Sequence, residues 1–477
     1  MWVGWWVSVS TVLAIDQRLA WTTAVVVDGD GTLLARSERA VDLRALPGGR
    51  VEQEPREVLA SVVDAGRAAV ADAGVPIDVV ALAPEGESVL AWDMHTGRPL
   101  SNLIVQPGRR ADEVRAGLEG EDVIGGRVGR LPTADRPALK LAWLRRHVTS
   151  AGVATTSDSW LLHQLTGEFV TEASTASRSL LVDVDTGRWD HDLVGLFGLD
   201  GQPMPAIVSS DAIVGSTIAF GGTTLLGGVI NSGTATMLGE GCVDPAEAVC
   251  TFGAGAALSV NAGRAAPRSS AGLTSSVAWR IRNETTYCIS GKVDTAASAV
   301  HWMKQLGFIA STADLDRVAA PDAGGVLAVP ALAGLGPPWR RPDAKTCISG
   351  ITRFTTRGHL VVAILQGVAA QVAALGSVAA VDLERPLSRL RVDGRLTGCR
   401  TLMQSLADLM QIEVEVHSSV SAAALGAAAV ARTATDPALD LRDAITPFWP
   451  SAVFTPRWSS DQADDFRSRW AEAAEAT

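Results

Sequence analysis

The run Val9-Ser-Thr-Val-Leu-Ala-Ile15-Asp-Gln-Arg-Leu-Ala-Trp-Thr22-Thr-Ala-Val-Val-Val27-Asp-Gly-Asp-Gly31-Thr-Leu-Leu-Ala35 decides the fold. Val9–Ile15 and Thr22–Val27 are rich in β-branched and apolar residues, and each predicts a strand. The second stretch ends on Asp28-Gly-Asp-Gly31, a tight-turn signal, before Thr32–Ala35 resumes the pattern. The chain therefore opens with a strand and a hairpin. Next, Pro55 to Gly74 predicts a helix, with Val58, Val62, Ala65 and Ala69 on one face. Pro55 suits the first helical position and Gly74 the stop. Ile77–Ala83 then returns as an apolar strand. Hairpin, helix and further strand together predict a mixed sheet flanked by helices.

A second set of elements begins near Val249. Thr251-Phe-Gly-Ala-Gly255 is a glycine-rich turn and Leu258–Asn261 a strand. Helices are expected over Ala296–Leu306, His359–Ala379 and Ser421–Arg432, and strands over Gly325–Pro330 and Leu390–Gly394. Phe448 to Ala474 predicts a terminal helix after the breaks at Pro450 and Pro456. The two halves share an order of elements without a residue-level repeat. They divide the chain into an N-terminal domain, 1–244, and a C-terminal domain, 245–477, with a cleft between them.

The 477 residues suffice for two or three cores, and 47% apolar with 19% charged residues excludes a disordered chain. A net charge of -11 with no basic stripe argues against a nucleic-acid partner. Met1–Ile15 is uncharged and carries Trp2, Trp5 and Trp6. It lacks a basic n-region and is short for a membrane span, so no membrane role is expected. Five scattered cysteines without a C-x-x-C pair suit reduced thiols in the cytoplasm.

Ordered matches then run from Leu13 to about Ala473. They include Leu13-Ala-Ile-Asp-Gln17, Gly49-Arg-Val-Glu-Gln-Glu-Pro55, Lys140-Leu-Ala-Trp143, Asp158-Ser-Trp-Leu-Leu162, Thr175-Ala-Ser-Arg-Ser-Leu-Leu181, Leu390-Arg-Val-Asp-Gly394 and Ala424-Leu-Gly-Ala427. This set resembles the FGGY family of carbohydrate kinases, and most closely its glycerol kinases. The resemblance implies an α/β fold of two actin-like/RNase-H-like ATPase domains with an interdomain cleft. It also implies a transferase that uses ATP and magnesium on a polyol or sugar.

The positions that carry that chemistry depart from the family. Where family members read Gly-x-x-Gly-Asp-Gln-Gln, with the Asp as base, this chain reads Gly228-Val-Ile-Asn-Ser-Gly-Thr234, and Ser232 stands at the Asp position. Serine takes no proton from an alcohol at neutral pH without a partner base. The phosphate hairpin becomes Asp16-Gln-Arg-Leu-Ala-Trp-Thr-Thr23, so Asp16 survives as the metal position while Arg18 replaces a glycine. The polyol positions become Gly86, Glu87, Gln106, Asp135, Ser232 and Ala257, of which Glu87 alone matches. At the nucleotide seat Gly253, Gly255 and Gly394 persist, Ala254 replaces a threonine, Arg395 a glycine and Cys399 an asparagine.

Two functions follow from these departures. One is a catalytically impaired or inactive homologue, a pseudokinase that binds a ligand or a partner. Its expected partners are a small polyol, sugar or phosphorylated metabolite, further copies of itself, or an active relative. Arg18 and Arg395 would suit an anion in that cleft. The alternative is an active ATP-dependent kinase on a polyol or sugar other than glycerol, with Asp135 or Glu87 as substitute base.

Overall fold

The computed structural model describes residues 10–106, 110–417, 421–447 and 449–477, with the side chain of Gln106 outside that description. Trp2, Trp5, Trp6, Val9 and Phe448 also lie outside the described residues.

The opening run forms the strands Val12–Gln17 and Trp21–Val27, antiparallel with Val12 opposite Val27. Asp28 closes the following turn: its Oδ1 accepts from the N–H groups of Asp30 and Thr32, which leads into the strand Leu33–Ala40. Val79–Pro84 runs parallel to the first strand on its other side, and Thr224–Val229 runs parallel to Val79–Pro84. The sheet order is thus Ile213–Thr217, Thr224–Val229, Val79–Pro84, Val12–Gln17, Trp21–Val27, Leu33–Ala40. In the central strands both faces are buried, which explains the continuous apolar runs. Leu13, Ile15, Ala24 and Val26 pack with Val58, Val62, Ala65 and Ala69 of the helix Pro55–Ala73. Val12, Ala14, Val25 and Val27 pack on the opposite face with Ala235, Met237, Ala424 and Ala428.

The second lobe has a sheet with a similar core. Glu284–Val293, Ala256–Gly263 and Glu247–Phe252 are antiparallel neighbours, and Arg389–Gly394 and Val414–Val416 continue in parallel. The lobes therefore share a core of three antiparallel strands joined to two parallel ones, the actin-like arrangement that the resemblance implies, and Thr274–Ile281 adds a fourth antiparallel strand beyond Glu284–Val293 in the second lobe. The long helix is Arg357–Asp382; it is the one described helix long and apolar enough to cross a membrane, and it is the buried core helix of this lobe.

The terminal segment differs from its expectation. Ala452–Phe454 is a strand paired antiparallel with Val414–Val416, and the helix is confined to Ser460–Glu475. The sheet edge takes up three residues that the helical spacing had claimed. A five-stranded sheet of Arg44–Leu46, Arg50–Gln53, Leu103–Gln106, Val89–Trp92 and Val153–Thr156 forms a separate layer of the first lobe.

The helix Ala422–Thr435 comes from the C-terminal half but packs on the first-lobe sheet and on the helix Ser232–Gly239. The contact is backbone to backbone. A β-carbon on Gly239 would lie 1.8 Å from the Ala422 carbonyl oxygen, and one on Gly426 would lie 1.9 Å from that of Ala235. Gly426→Ala is expected to destabilise the protein by about 3 kcal/mol or more, because backbone cannot retreat as a side chain can. Gly126→Ala, on an open helical position, should be neutral or gain up to about 1 kcal/mol. Chemical denaturation of the two variants checks the pair.

Candidate active site

Parallel strands place their C-terminal ends together, and this is where the cleft opens. Asp16 stands near the end of the first strand, opposite Ala83 in register, and Glu85-Gly86-Glu87 follows the neighbouring strand. Two residues, Ile230 and Asn231, separate the third parallel strand from the helix Ser232–Gly239. Asn231 caps it: its Oδ1 accepts from Gly233 N–H at 3.0 Å, and its Nδ2 donates to the Glu85 carbonyl at 2.7 Å. The sheet and this cap bring Asp16, Ser232 and the Gly86 segment together.

Ser232 Oγ donates to Asp16 Oδ1 at 2.6 Å, and Arg18 Nε donates to Asp16 Oδ2 at 2.6 Å. Arg18 Nη2 reaches on to Thr236 Oγ1 at 3.4 Å. Asp16 raises the pKa of this guanidinium, burial opposes the shift, and Asp393 adds to it from farther off. Both oxygens of the expected metal position are therefore engaged by the protein's own donors. Among the described residues no group of three or more His, Cys, Asp or Glu is arranged to hold a metal.

The cleft has a volume of about 1240 Å³, and Arg18, Trp21, Gly253, Ala254, Gly394 and Arg395 line it. Gly394 has φ 101°, and a β-carbon there would fall 2.2 Å from the Phe252 carbonyl oxygen, so the turn depends on glycine. Gly255 takes no part in the wall. It lets the turn pass Val293, whose carbonyl oxygen would lie 2.2 Å from its β-carbon. Cys399 likewise faces away, buried with its Sγ 3.6 Å from Asp316 Oδ1. Arg395 crosses from the second lobe to the first, its guanidinium 5.9 Å from the Trp21 ring centroid, at the outer reach of a cation–π contact.

Deeper on the cleft wall, His417 Nδ1 and Glu240 Oε1 are 2.7 Å apart. Glu240 is fully buried, and burial raises its carboxyl to about 7 against the pull of His417. Asp393 is also raised, first by burial, with Thr251, Arg18 and His417 acting the other way.

Glu87 is held by Arg178, whose Nε donates to it at 2.6 Å. Burial would raise this carboxyl, yet Arg178, Arg136, Arg130 and Lys140 together hold it well below the usual range. These cations come from separate segments, so their convergence leaves no mark in the sequence. Asp135 is 60% exposed in its side chain, takes a hydrogen bond from Thr133 and lies 3.9 Å from Arg136. It is a loop carboxylate within electrostatic reach of Glu87. Ala257 is exposed on its strand.

Two sheets with a common five-strand core, a cleft at their strand ends and glycine turns on its wall define a two-lobed sugar-kinase-type ATPase fold. The chain belongs to the FGGY family of carbohydrate kinases: residues 11–233 match the family's N-terminal domain and residues 248–435 its C-terminal domain. It is 33% identical to a glycerol kinase of Trichlorobacter lovleyi, over 98% of both chains. It is 34% identical to one of Alkalilimnicola ehrlichii, over 97% of both. Among solved structures it superposes on Plasmodium falciparum glycerol kinase with ADP at a TM-score of 0.92, with 26% identity and 98% of each chain covered. A gluconate kinase from Lactobacillus acidophilus shares the fold at a TM-score of 0.88 and 18% identity, again over 98% of each chain.

The raised carboxyl of Glu240 has a consequence for stability. A folded-state value of about 7 lies above the ordinary 4.5, so the folded protein holds a proton that the unfolded chain releases. That contribution is fully present below pH 4.5 and is lost as pH rises through about 7. Glu172, the buried cap of the helix Ala173–Ala176, behaves the same way. The melting temperature should fall between pH 5 and 8, and Glu240→Gln should remove roughly half of that fall. Thermal melts across this range check it.

Proposed function

We propose that this chain is an FGGY-family protein that keeps the ligand-binding cleft but does not transfer phosphate. One observation carries the reading: Ser232 and Arg18 occupy the two oxygens of Asp16. Phosphoryl transfer needs a base on the acceptor hydroxyl and a cation bridging the phosphates. At the base position Ser232 donates to Asp16, a carboxylate that Arg18 already holds. At the metal position Asp16 would be the residue to hold a magnesium ion, but Arg18 and Ser232 engage both of its oxygens, so the residues present do not fit that ion. Loss of a base alone costs about 10²–10⁴-fold in rate. Gly253 and Gly394 leave room for a nucleotide such as the ADP that the Plasmodium falciparum enzyme holds, with Arg18 and Arg395 as its cations. All five cysteines are free, which supports a reducing, cytoplasmic setting.

The direct test incubates the protein with ATP, magnesium and a panel of polyols and sugars, and follows ADP release. No release above the protein-free rate is expected; steady turnover with any acceptor sinks the proposal. The geometry also makes a sharper demand. Ser232→Asp alone should stay silent, since Arg18 still holds Asp16. Ser232→Asp combined with Arg18→Gly should gain magnesium-dependent ADP release.

A further inference from the structure

Outside the nucleotide cleft, the first lobe gathers charge around Glu87. Arg130, Arg136, Arg178 and Lys140 all act on this one carboxylate. Glu85 and Asp135 are the further acids that face the group, and Asp135 is largely exposed. Cations therefore outnumber carboxylates at a buried position.

Arg130 is the least satisfied of them. It is 2% exposed, and its Nη1 donates to the Arg178 carbonyl at 3.0 Å. Its Nε and Nη2 have no partner. Those two nitrogens form the edge of the guanidinium that grips a carboxylate or phosphate with parallel hydrogen bonds. Arg136 Nε is unpartnered as well. Burial and the neighbouring Arg136 and Arg178 push the pKa of Arg130 well below its ordinary value, with Glu87 opposing, so the local field lacks negative charge.

Side chains able to bind hydroxyls lie beside the Gly86-Glu87 segment. Ser88 Oγ and Thr175 Oγ1 are buried without partners. Thr175 faces Gly86, where a β-carbon would lie 3.0 Å from its Oγ1. Arg178 and Glu87, each about a fifth exposed in the side chain, open the group to solvent.

We propose that the Arg130–Arg136–Arg178–Lys140 cluster around Glu87 binds a small hydroxylated anion, a sugar or polyol that carries a carboxylate or a phosphate. The Arg130 edge takes the anionic group, and Glu87, Ser88 and Thr175 take hydroxyls. The site lies in the first lobe, apart from the nucleotide cleft, and its role as a binding site without transfer rests on the reading proposed above.

Calorimetry and thermal shift with gluconate, glycerol 3-phosphate, glycerol and sorbitol test it on the full chain. At least one of the two acids should bind and raise the melting temperature at millimolar concentration, while the neutral polyols should not. Which acid binds identifies the charged group. Arg130→Met should weaken that binding about 10- to 100-fold and melt no lower than the parent, because it removes an unpaired buried charge. Arg136→Met, at a more exposed position, should also weaken it and serves if the first variant does not fold. The proposal is overturned if neither acid binds, if a neutral polyol binds as well as an acid, or if both variants keep the parent affinity. Neither readout uses ATP. Turnover with ATP would end the silent-kinase reading and leave the anion site standing, whereas absent anion binding without turnover would do the reverse.

Discussion

The contact between the helices Ser232–Gly239 and Ala422–Thr435 fixes most of what lies around it. At Gly239 and Gly426 each helix meets the other's backbone with no space for a β-carbon. Gly228, in the strand that leads into the first helix, meets Ala431 in the same way. Three glycines thus set the height and angle of one helix against a helix supplied by the other half of the chain. Ser232 is the first residue of that helix, and Glu240 directly follows its end. Whatever side chain stands at 232 is presented to Asp16 by packing, not by its own chemistry.

Scaffold and chemistry can therefore part company. This helix contact needs glycine at 228, 239 and 426. It needs nothing of the hydroxyl at 232 beyond a tolerable fit, and Ser232 with Arg18 supplies one: both Asp16 oxygens have close donors. A carboxylate taken out of water is stable only with such partners. The same bonds that stabilise Asp16 engage both of its oxygens, and the proposed loss of transfer rests on them. A folded, well-packed cleft is what these substitutions produce.

Much of this frame was legible in the sequence because its signals are long or geometrically strict. The two opening strands, the helix from Pro55 with its glycine stop, and the turn at Asp28 all follow from period, proline and glycine. The strands of the five-stranded sheet are only three or four residues long, too short for alternation to stand out. Ala452–Phe454 took the helical spacing of its neighbours because pairing at a sheet edge leaves no local mark. At the site, the substitutions at 18, 232 and 395 could be read, but not their consequence. That Ser232 and Arg18 would share one carboxylate depends on a contact across more than 200 residues. Gly255 was placed on the nucleotide seat by its motif, whereas its backbone is there to clear Val293.

The two halves of the site differ in how completely they satisfy themselves. Around Asp16 the protein supplies the partners, and the result is closed. Around Glu87 the Arg130 edge, Arg136 Nε, Ser88 and Thr175 are left without partners. An unmatched buried donor costs about 1–3 kcal/mol, and more when it is charged. A methionine or leucine in place of Arg130 would avoid that cost and fill similar space. A residue with only a packing role has no use for a guanidinium whose gripping edge faces no acceptor. Unsatisfied polarity of this kind is reasonable where something outside the chain completes it, and the surplus of cations gives that missing component a negative charge.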